Sequence, residues 1–348
     1  MLPIRECVLR TPGYLPGEQP QTDDFIKLNT NENPYAPPPE IFDALQSELP
    51  KLKLYPDPVS TKLRQAAAVI FGVSADNIIA GNGSDDILNI ALRTFVNPGE
   101  AIAFLDLTYS LYDTLARIHG ASIIEIPTNE EFALSEPIIC PQAKLIFIAS
   151  PNPPVGKHLN RDYVEKTCAQ GTAIVVIDEA YVDFSDDNHL DLLHKYDNVI
   201  ISRTMSKSYS LAGMRVGFGI ASKNLIEQMN KVRDSYNLNR LSQALGTAAF
   251  SSHTYFQTIW QKIRQTRSRL ITSLRDLNFF VFDSEANFVL ASPQWISASK
   301  LYSELKNRQI LVRYFKNSRI VDYVRISVGT DEEIDRLLAA IIEIKSIN

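Results

Sequence analysis

Asp178 closes the apolar run Ala173-Ile-Val-Val-Ile177 and is followed by Glu-Ala-Tyr181. Five apolar residues ahead of it mark a buried strand, and a carboxylate at such a tip is costly unless a cation meets it. One candidate is a metal-bound nucleotide, because a strand ending in Asp-Glu organises magnesium in P-loop nucleotidases. That chemistry needs G-x-x-x-x-G-K-[ST], and the chain lacks it: Lys157 follows Gly156 but precedes His158, and Lys207 follows Ser206. The other candidate is a protonated pyridine nitrogen, as in pyridoxal phosphate, whose ring draws electrons only while a nearby acid keeps that nitrogen protonated.

Lys207 lies among three serines in Ser206-Lys-Ser-Tyr-Ser210, with Arg215 eight residues on. A lysine that forms a Schiff base must be available as the neutral amine, a state favoured by burial and by nearby positive charge. Thr204, Ser206 and Arg215 offer hydroxyls and a guanidinium for a phosphate. Gly81-Asn-Gly-Ser-Asp-Asp86 follows a strand pattern and opens a helical one, so the backbone around Gly83, Ser84 and Asp85 can serve the same phosphate. Taken singly, each feature has a plainer role. Asp178 can be satisfied by helix amides, Ser84 or Asp85 can cap a helix, Lys207 can be a surface cation, and Arg215 can sit in a structural ion pair. Ser-Lys also suits a hydrolase with Lys207 as the base for Ser206 or Ser208, but that leaves Asp178 and the glycine loop unexplained.

The elements that must hold these residues are legible from apolar periodicity. Runs of strand length at 77–80, 101–104, 121–126, 144–149, 173–177 and 198–201 alternate with helical patterns. Short, continuously apolar runs between helices predict a largely parallel sheet covered on both faces, with ligands at the carboxyl ends of its strands. The first 39 residues are rich in Pro, Gly and Asn and read as an arm without regular structure. A large domain is expected over 40–250. A long helical pattern from Thr254 to about Leu277 then leads into a smaller αβ set, expected as a C-terminal domain over 251–348.

Bulk properties exclude several classes. The chain has 348 residues, 45% of them hydrophobic and 22% charged, as in ordinary globular proteins. A net charge of -5 gives no basic footprint for nucleic acid or an anionic membrane. Cys7, Cys140 and Cys168 are odd in number and lack metal-type spacing, which predicts reduced thiols in the cytoplasm. The N-terminal stretch reads as neither a secretory signal nor an anchor. The five histidines show no ligand spacing, and no metal is expected.

In combination, G-N-G-S-D-D, S-P-N-P-P-V-G (Ser150 to Gly156), V-I-D-E-A-Y and S-K-x-x-x-L-A-G-x-R-x-G resemble the fold-type I pyridoxal-phosphate aminotransferases. L-N-T-N-E-N-P, Tyr55-Pro56 and Val324-Arg-Ile-Ser-Val-Gly-Thr330 resemble the histidinol-phosphate aminotransferases among them, and the likeness covers nearly the whole chain. The resemblance implies an α/β fold-type I architecture, with a mostly parallel, helix-covered sheet in the large domain and a smaller C-terminal α/β domain. It also implies exchange of nitrogen between histidinol phosphate and 2-oxoglutarate, giving imidazole acetol phosphate and glutamate, in histidine biosynthesis. An aromatic amino-acid aminotransferase and a phosphothreonine decarboxylase share most of these motifs and are the alternatives.

By position in the motifs, the resemblance makes Lys207 the covalent anchor of the cofactor and the proton shuttle. Asp178 would pair with the ring nitrogen, Tyr181 would donate to the ring hydroxyl oxygen, and Tyr109 would stack on the ring. Gly83, Ser84, Asp85, Thr204, Ser206 and Arg215 would surround the phosphate. Arg325 and Arg313 would bind the anionic ends of the substrates, with Tyr14 and Asn31 closing the site. Tyr55 would reach the cofactor phosphate of a neighbouring subunit, which implies a homodimer with composite sites. One position departs from the pattern. Where the family has Asn-Asn-Pro-Thr-Gly, this chain has Asn152-Pro153-Pro154-Val155-Gly156, and Pro153 has no N–H to offer the ring hydroxyl oxygen. Either Asn152 takes that contact, or Tyr181 carries it alone.

Overall fold

A computed structural model describes residues 2–20, 22 and 24–347. Twelve strands occur among them: β1 (Ile26–Leu28), β2 (Ile78–Asn82), β3 (Ala101–Leu105), β4 (Ser122–Ile126), β5 (Ala143–Ala149) and β6 (Ile174–Asp178) in the first half. The second half holds β7 (Val199–Thr204), β8 (Val216–Ala221), β9 (Phe279–Val281), β10 (Phe288–Pro293), β11 (Ile310–Tyr314) and β12 (Val324–Ser327). Seven form one sheet in the order β2-β8-β7-β6-β5-β3-β4, parallel from β7 to β4, with β8 antiparallel to both of its neighbours.

Strand alternation divides this sheet between two cores. Ile146, Ile148, Val175 and Ile177 face one cluster with Leu63, Phe71, Phe250 and Phe256, while Leu145, Phe147 and Val176 face another with Ile87, Leu88, Tyr112 and Met229. Helices therefore cover both faces, and the inner parallel strands β3, β5 and β6 read as continuous apolar runs because neither face is wet, while the edge strand β4 exposes Ser122 and Glu125.

β8 escapes the apolar-run reading because Gly217 and Gly219 interrupt it. Both are required where they stand. A Cβ on Gly217 would lie 2.2 Å from the Gly83 carbonyl carbon and the Ser84 nitrogen, and one on Gly219 would meet Ile79 and Ile87 at 2.9 Å. The missing side chains let the lysine-bearing segment lie against the Gly81–Ser84 turn.

The second sheet has the order β1-β11-β12-β10-β9. Its edge strand, β1, comes from the arm that the Pro and Gly content marked as irregular: Ile26–Leu28 pairs in parallel with Ile310–Val312. Three residues suffice, because Ile26 and Leu28 bury in the small core while the partner strand supplies the hydrogen bonds. The arm also holds a short helix, Glu6–Leu9. The 24-residue helix His253–Asp276 joins the two cores, with Phe256, Trp260 and Ile263 in the large one and Leu270, Ile271 and Leu274 in the small one. No helix among the described residues is long and apolar enough to cross a membrane.

Candidate active site

The carboxyl ends of β5, β6 and β7, the start of the helix Ser84–Phe95, the arm and the small sheet enclose a cavity of about 880 Å³. Asp178 and Glu179, adjacent in sequence, part at the tip of β6. Glu179 turns away, fully buried, to pair with the largely buried Arg203, 2.7 Å apart, and also accepts from the His189 backbone and ring. Burial alone would raise its carboxyl; Arg203 and His189 hold it below its ordinary value.

Asp178 turns into the cavity. Its Oδ2 accepts from the Tyr112 hydroxyl at 2.9 Å, and its Oδ1 is buried without a partner. Burial raises this carboxyl to about 7 against the Tyr112 bond, with Asp85 and Glu179 adding repulsion. An orphaned, buried carboxylate oxygen is costly as it stands and matches a cationic N–H donor.

Lys207 reaches the same cavity, where its Nζ donates to the Thr30 carbonyl at 2.9 Å. Burial and the Arg325 and Arg215 charges push it down to about 8, against the pull of Glu32 and Asp85. Such an amine is neutral in a usable fraction of molecules near neutral pH, which is the condition for a Schiff-base nucleophile.

The phosphate-sized end is built around Gly83. The helix Ser84–Phe95 has Gly83 at its N-cap and no side-chain cap, so the first-turn N–H groups are not consumed by one, contrary to the capping role open to Ser84 or Asp85. Arg215 sits in the left-handed region, φ 53°, and a Cβ on Gly83 would lie 2.5 Å from its Nη2. Its guanidinium donates to Ser206 Oγ at 3.1 Å and to Asp85 Oδ2 at 3.0 Å. Thr204 donates to Ser206 Oγ at 3.0 Å. Asp85 also accepts from Tyr109, so one carboxylate orients both the guanidinium and the ring.

Of three further residues, Asn152 alone differs in place from the sequence expectation. The Asn152 amide is spent on the loop behind it, accepting from Thr108 at 2.6 Å and donating to the Leu107 carbonyl at 2.9 Å; Pro153, not Asn152, lines the cavity. Asn31 gives its amide to Tyr181 rather than leaving it for substrate. Tyr55 lies outside the cavity, 78% exposed and stacked on Tyr236 with centroids 4.6 Å apart.

The substrate end holds Tyr14, whose ring packs edge-on against Tyr109 at 6.1 Å, and the two arginines. Arg313 donates to the Leu15 and Pro16 carbonyls and so fastens the arm. Arg325 donates to the Asn29 carbonyl at 3.3 Å, while its buried Nε has no partner. Sequence reading missed Tyr112 and Thr30. Tyr112 lies in the first turn of the helix Leu111–His119 that follows Tyr109, and the two rings meet edge-on with centroids 5.7 Å apart, whereas a backbone carbonyl such as that of Thr30 leaves no mark in the sequence.

A cation-seeking carboxylate, a depressed lysine and an anion cradle, spaced around one cavity, fit the ring nitrogen, aldehyde carbon and phosphate of pyridoxal phosphate. Comparison with known proteins agrees. Residues 23–341 match the family Aminotransferase class I and II. The chain is 73% identical to histidinol-phosphate aminotransferase of Rippkaea orientalis and 72% identical to that of Microcystis aeruginosa, each over 348 residues and the whole of both chains. The crystal structure of histidinol-phosphate aminotransferase from Sinorhizobium meliloti in complex with pyridoxal-5'-phosphate is 26% identical, with a TM-score of 0.83 over 92% of this chain and 91% of that one. This chain belongs to the class I and II aminotransferases and, within them, to the histidinol-phosphate aminotransferases.

Proposed function

We propose that the protein uses pyridoxal phosphate to exchange nitrogen between histidinol phosphate and 2-oxoglutarate, giving imidazole acetol phosphate and glutamate in cytoplasmic histidine biosynthesis. The observation that carries the reading is that one cavity is lined both by Lys207 and by an Asp178 carboxylate whose second oxygen has no partner. The full-length likeness to histidinol-phosphate aminotransferases supports the substrate.

When bound, the cofactor supplies an electron sink for the substrate α-carbon. Asp178 keeps the ring nitrogen protonated, at the buried strand tip where a charge is best used. Lys207 would hold the aldehyde carbon, and its amine would move the proton at the substrate α-carbon; the Thr30 carbonyl accepts from that amine within the cavity. Ser206, Arg215, Thr204 and the N–H groups around Gly83, Ser84 and Asp85 hold the phosphate. Tyr109 covers the ring, and Tyr181 donates to its hydroxyl oxygen. Arg325 and Arg313 draw the anionic ends of both substrates into place under Tyr14, with the arm excluding water.

We read 1–39 as the arm, 40–250 as the large domain and 251–348 as the small one, and the protein as a homodimer. Exposed Leu52, Leu54, Tyr55 and Val59 form an apolar stretch suited to a second copy, with Tyr55 completing the partner's phosphate cradle.

Borohydride treatment of the yellow protein should fix the cofactor to a peptide containing Lys207, and histidinol phosphate should convert it to the amine form far faster than phenylalanine does. A colourless protein that takes up no pyridoxal phosphate ends the reading. Equal rates, or release of carbon dioxide from phosphothreonine, would move it to another substrate.

A further inference from the structure

Pro153 lines the cavity without a donor, and the Asn152 amide is committed to Leu107 and Thr108. The Tyr181 hydroxyl is then the donor left for the ring-oxygen end, and which way its one proton points becomes decisive. Asn31 Nδ2 lies 3.1 Å from the Tyr181 oxygen. An amide nitrogen has only hydrogens to give, so the phenol oxygen accepts, and its own proton is free to point elsewhere.

The Asn31 amide cannot turn over cheaply. The buried Ser327 hydroxyl donates to Asn31 Oδ1 and accepts from the Asn31 backbone N–H, both at 2.9 Å, and a flipped amide would strand the Ser327 proton. Asn287 Nδ2 donates to the Asn31 carbonyl at 3.0 Å, and Asn31 holds the left-handed conformation at φ 57° that Asn and Asp tolerate. Around Tyr181 stand Arg325 on β12, Asp178 on β6, Tyr14 on the arm and Tyr109. Burial outweighs Arg325 and Asn31 and keeps the phenol above its ordinary value, hence protonated.

We propose that Asn31 is a positioning residue that makes the Tyr181 hydroxyl a donor into the cavity, aimed at the ring hydroxyl oxygen of the cofactor. The inference rests on the pyridoxal-phosphate reading above. It gives an arm residue, 150 positions from Tyr181, control over the charge on the ring.

Asn31→Asp tests it. The side chain keeps its shape, its Ser327 bond and its backbone conformation, but offers Tyr181 an acceptor, which turns the proton away from the cavity. A donor to the ring oxygen draws off negative charge, so its loss stabilises the protonated form of the bound cofactor. The pH midpoint of the cofactor's absorbance change should rise by about one unit, the scale of one charge-assisted hydrogen bond, and Tyr181→Phe should raise it similarly. In the double variant, Asn31→Asp should add under half of its single effect, because its target is gone.

An equal shift in both backgrounds would mean that only the added charge is felt, and would overturn the inference, as would no shift at all. An unmoved midpoint in a yellow Tyr181→Phe protein overturns both the inference and the ring-oxygen contact, while sparing the cofactor. Failure of the native protein to take up pyridoxal phosphate overturns the parent reading. Ser327→Ala, which frees the Asn31 amide to turn, carries the same comparison should Asn31→Asp not fold.

Discussion

Arg313 and Arg325 stand directly opposite one another on the β11–β12 ladder, and the guanidinium carbon of each lies 5.4 Å from the ring centroid of Phe315. Like charges in cross-strand register repel, and the Arg325 Nε is buried without a partner. The arrangement is costly alone and favourable once an anion lies between the two. Arg325→Ala should therefore lower kcat/KM for histidinol phosphate by about a hundredfold while leaving the cofactor absorbance unchanged. Arg325→Lys should recover little of the loss, since an ammonium cannot reproduce the fork. Steady-state kinetics with both spectra recorded decide it.

Lys207 should titrate near 8 in cofactor-free protein, where ordinary lysines titrate at about 10.4. Competitive amine labelling across pH, read from the Lys207 peptide, gives the midpoint. Glu32→Gln should lower it further and Arg325→Ala should raise it, following the signs of the two charges. The unfolded chain holds the Lys207 proton to higher pH than the folded one. This residue's contribution to the stability of cofactor-free protein therefore rises with pH above 8 and levels off past the unfolded value. A midpoint above 10 would refute the buried setting.

Gly217→Ala should push β8 off the Gly83–Ser84 turn, because its Cβ would lie 2.2 Å from that backbone. Stability should fall by about 1–3 kcal/mol, and cofactor affinity should fall with it. Gly213→Ala, where a Cβ meets nothing within 4 Å, is the matched control and should change neither. Thermal denaturation and pyridoxal-phosphate titration of the two variants provide the comparison.

Mixing inactive Lys207→Ala protein with Tyr55→Ala protein should restore activity. If each site takes Lys207 from one chain and Tyr55 from the other, one site of the mixed dimer carries both lesions and the other carries none. Activity no greater than that of the two variants measured apart would place Tyr55 outside the partner's site.

The large sheet was legible because β2, β3, β5, β6 and β7 are apolar on both faces, and β6 ends in an acid that marks its carboxyl tip. β8 was not, since its two glycines are chosen for what they let approach rather than for what they bury. β1 was hidden in an arm whose composition reads as irregular, because three residues paired to Ile310–Val312 need no pattern of their own. At the site, Lys207, Asp178 and Arg215 were legible through their chemistry: a buried acid, an amine and a guanidinium each require a partner wherever they fall. Tyr112 was hidden by its aromatic ring, which looks like core and is core, stacked on Phe147 while its hydroxyl serves Asp178.

The sequence by itself determined the alternation of strands and helices, the strand tip that carries the acid, and the set of groups that suits a phosphate-bearing aldehyde. Local periodicity and residue chemistry suffice for that, because each is encoded within a few neighbours. The tertiary structure alone decided that Asn31 serves Tyr181, that Asn152 turns away behind Pro153, and that Arg313 faces Arg325. An amide can give or take a hydrogen bond with any neighbour, and strand register is set between segments far apart in the chain. Only the folded arrangement fixes which partner each of these residues meets.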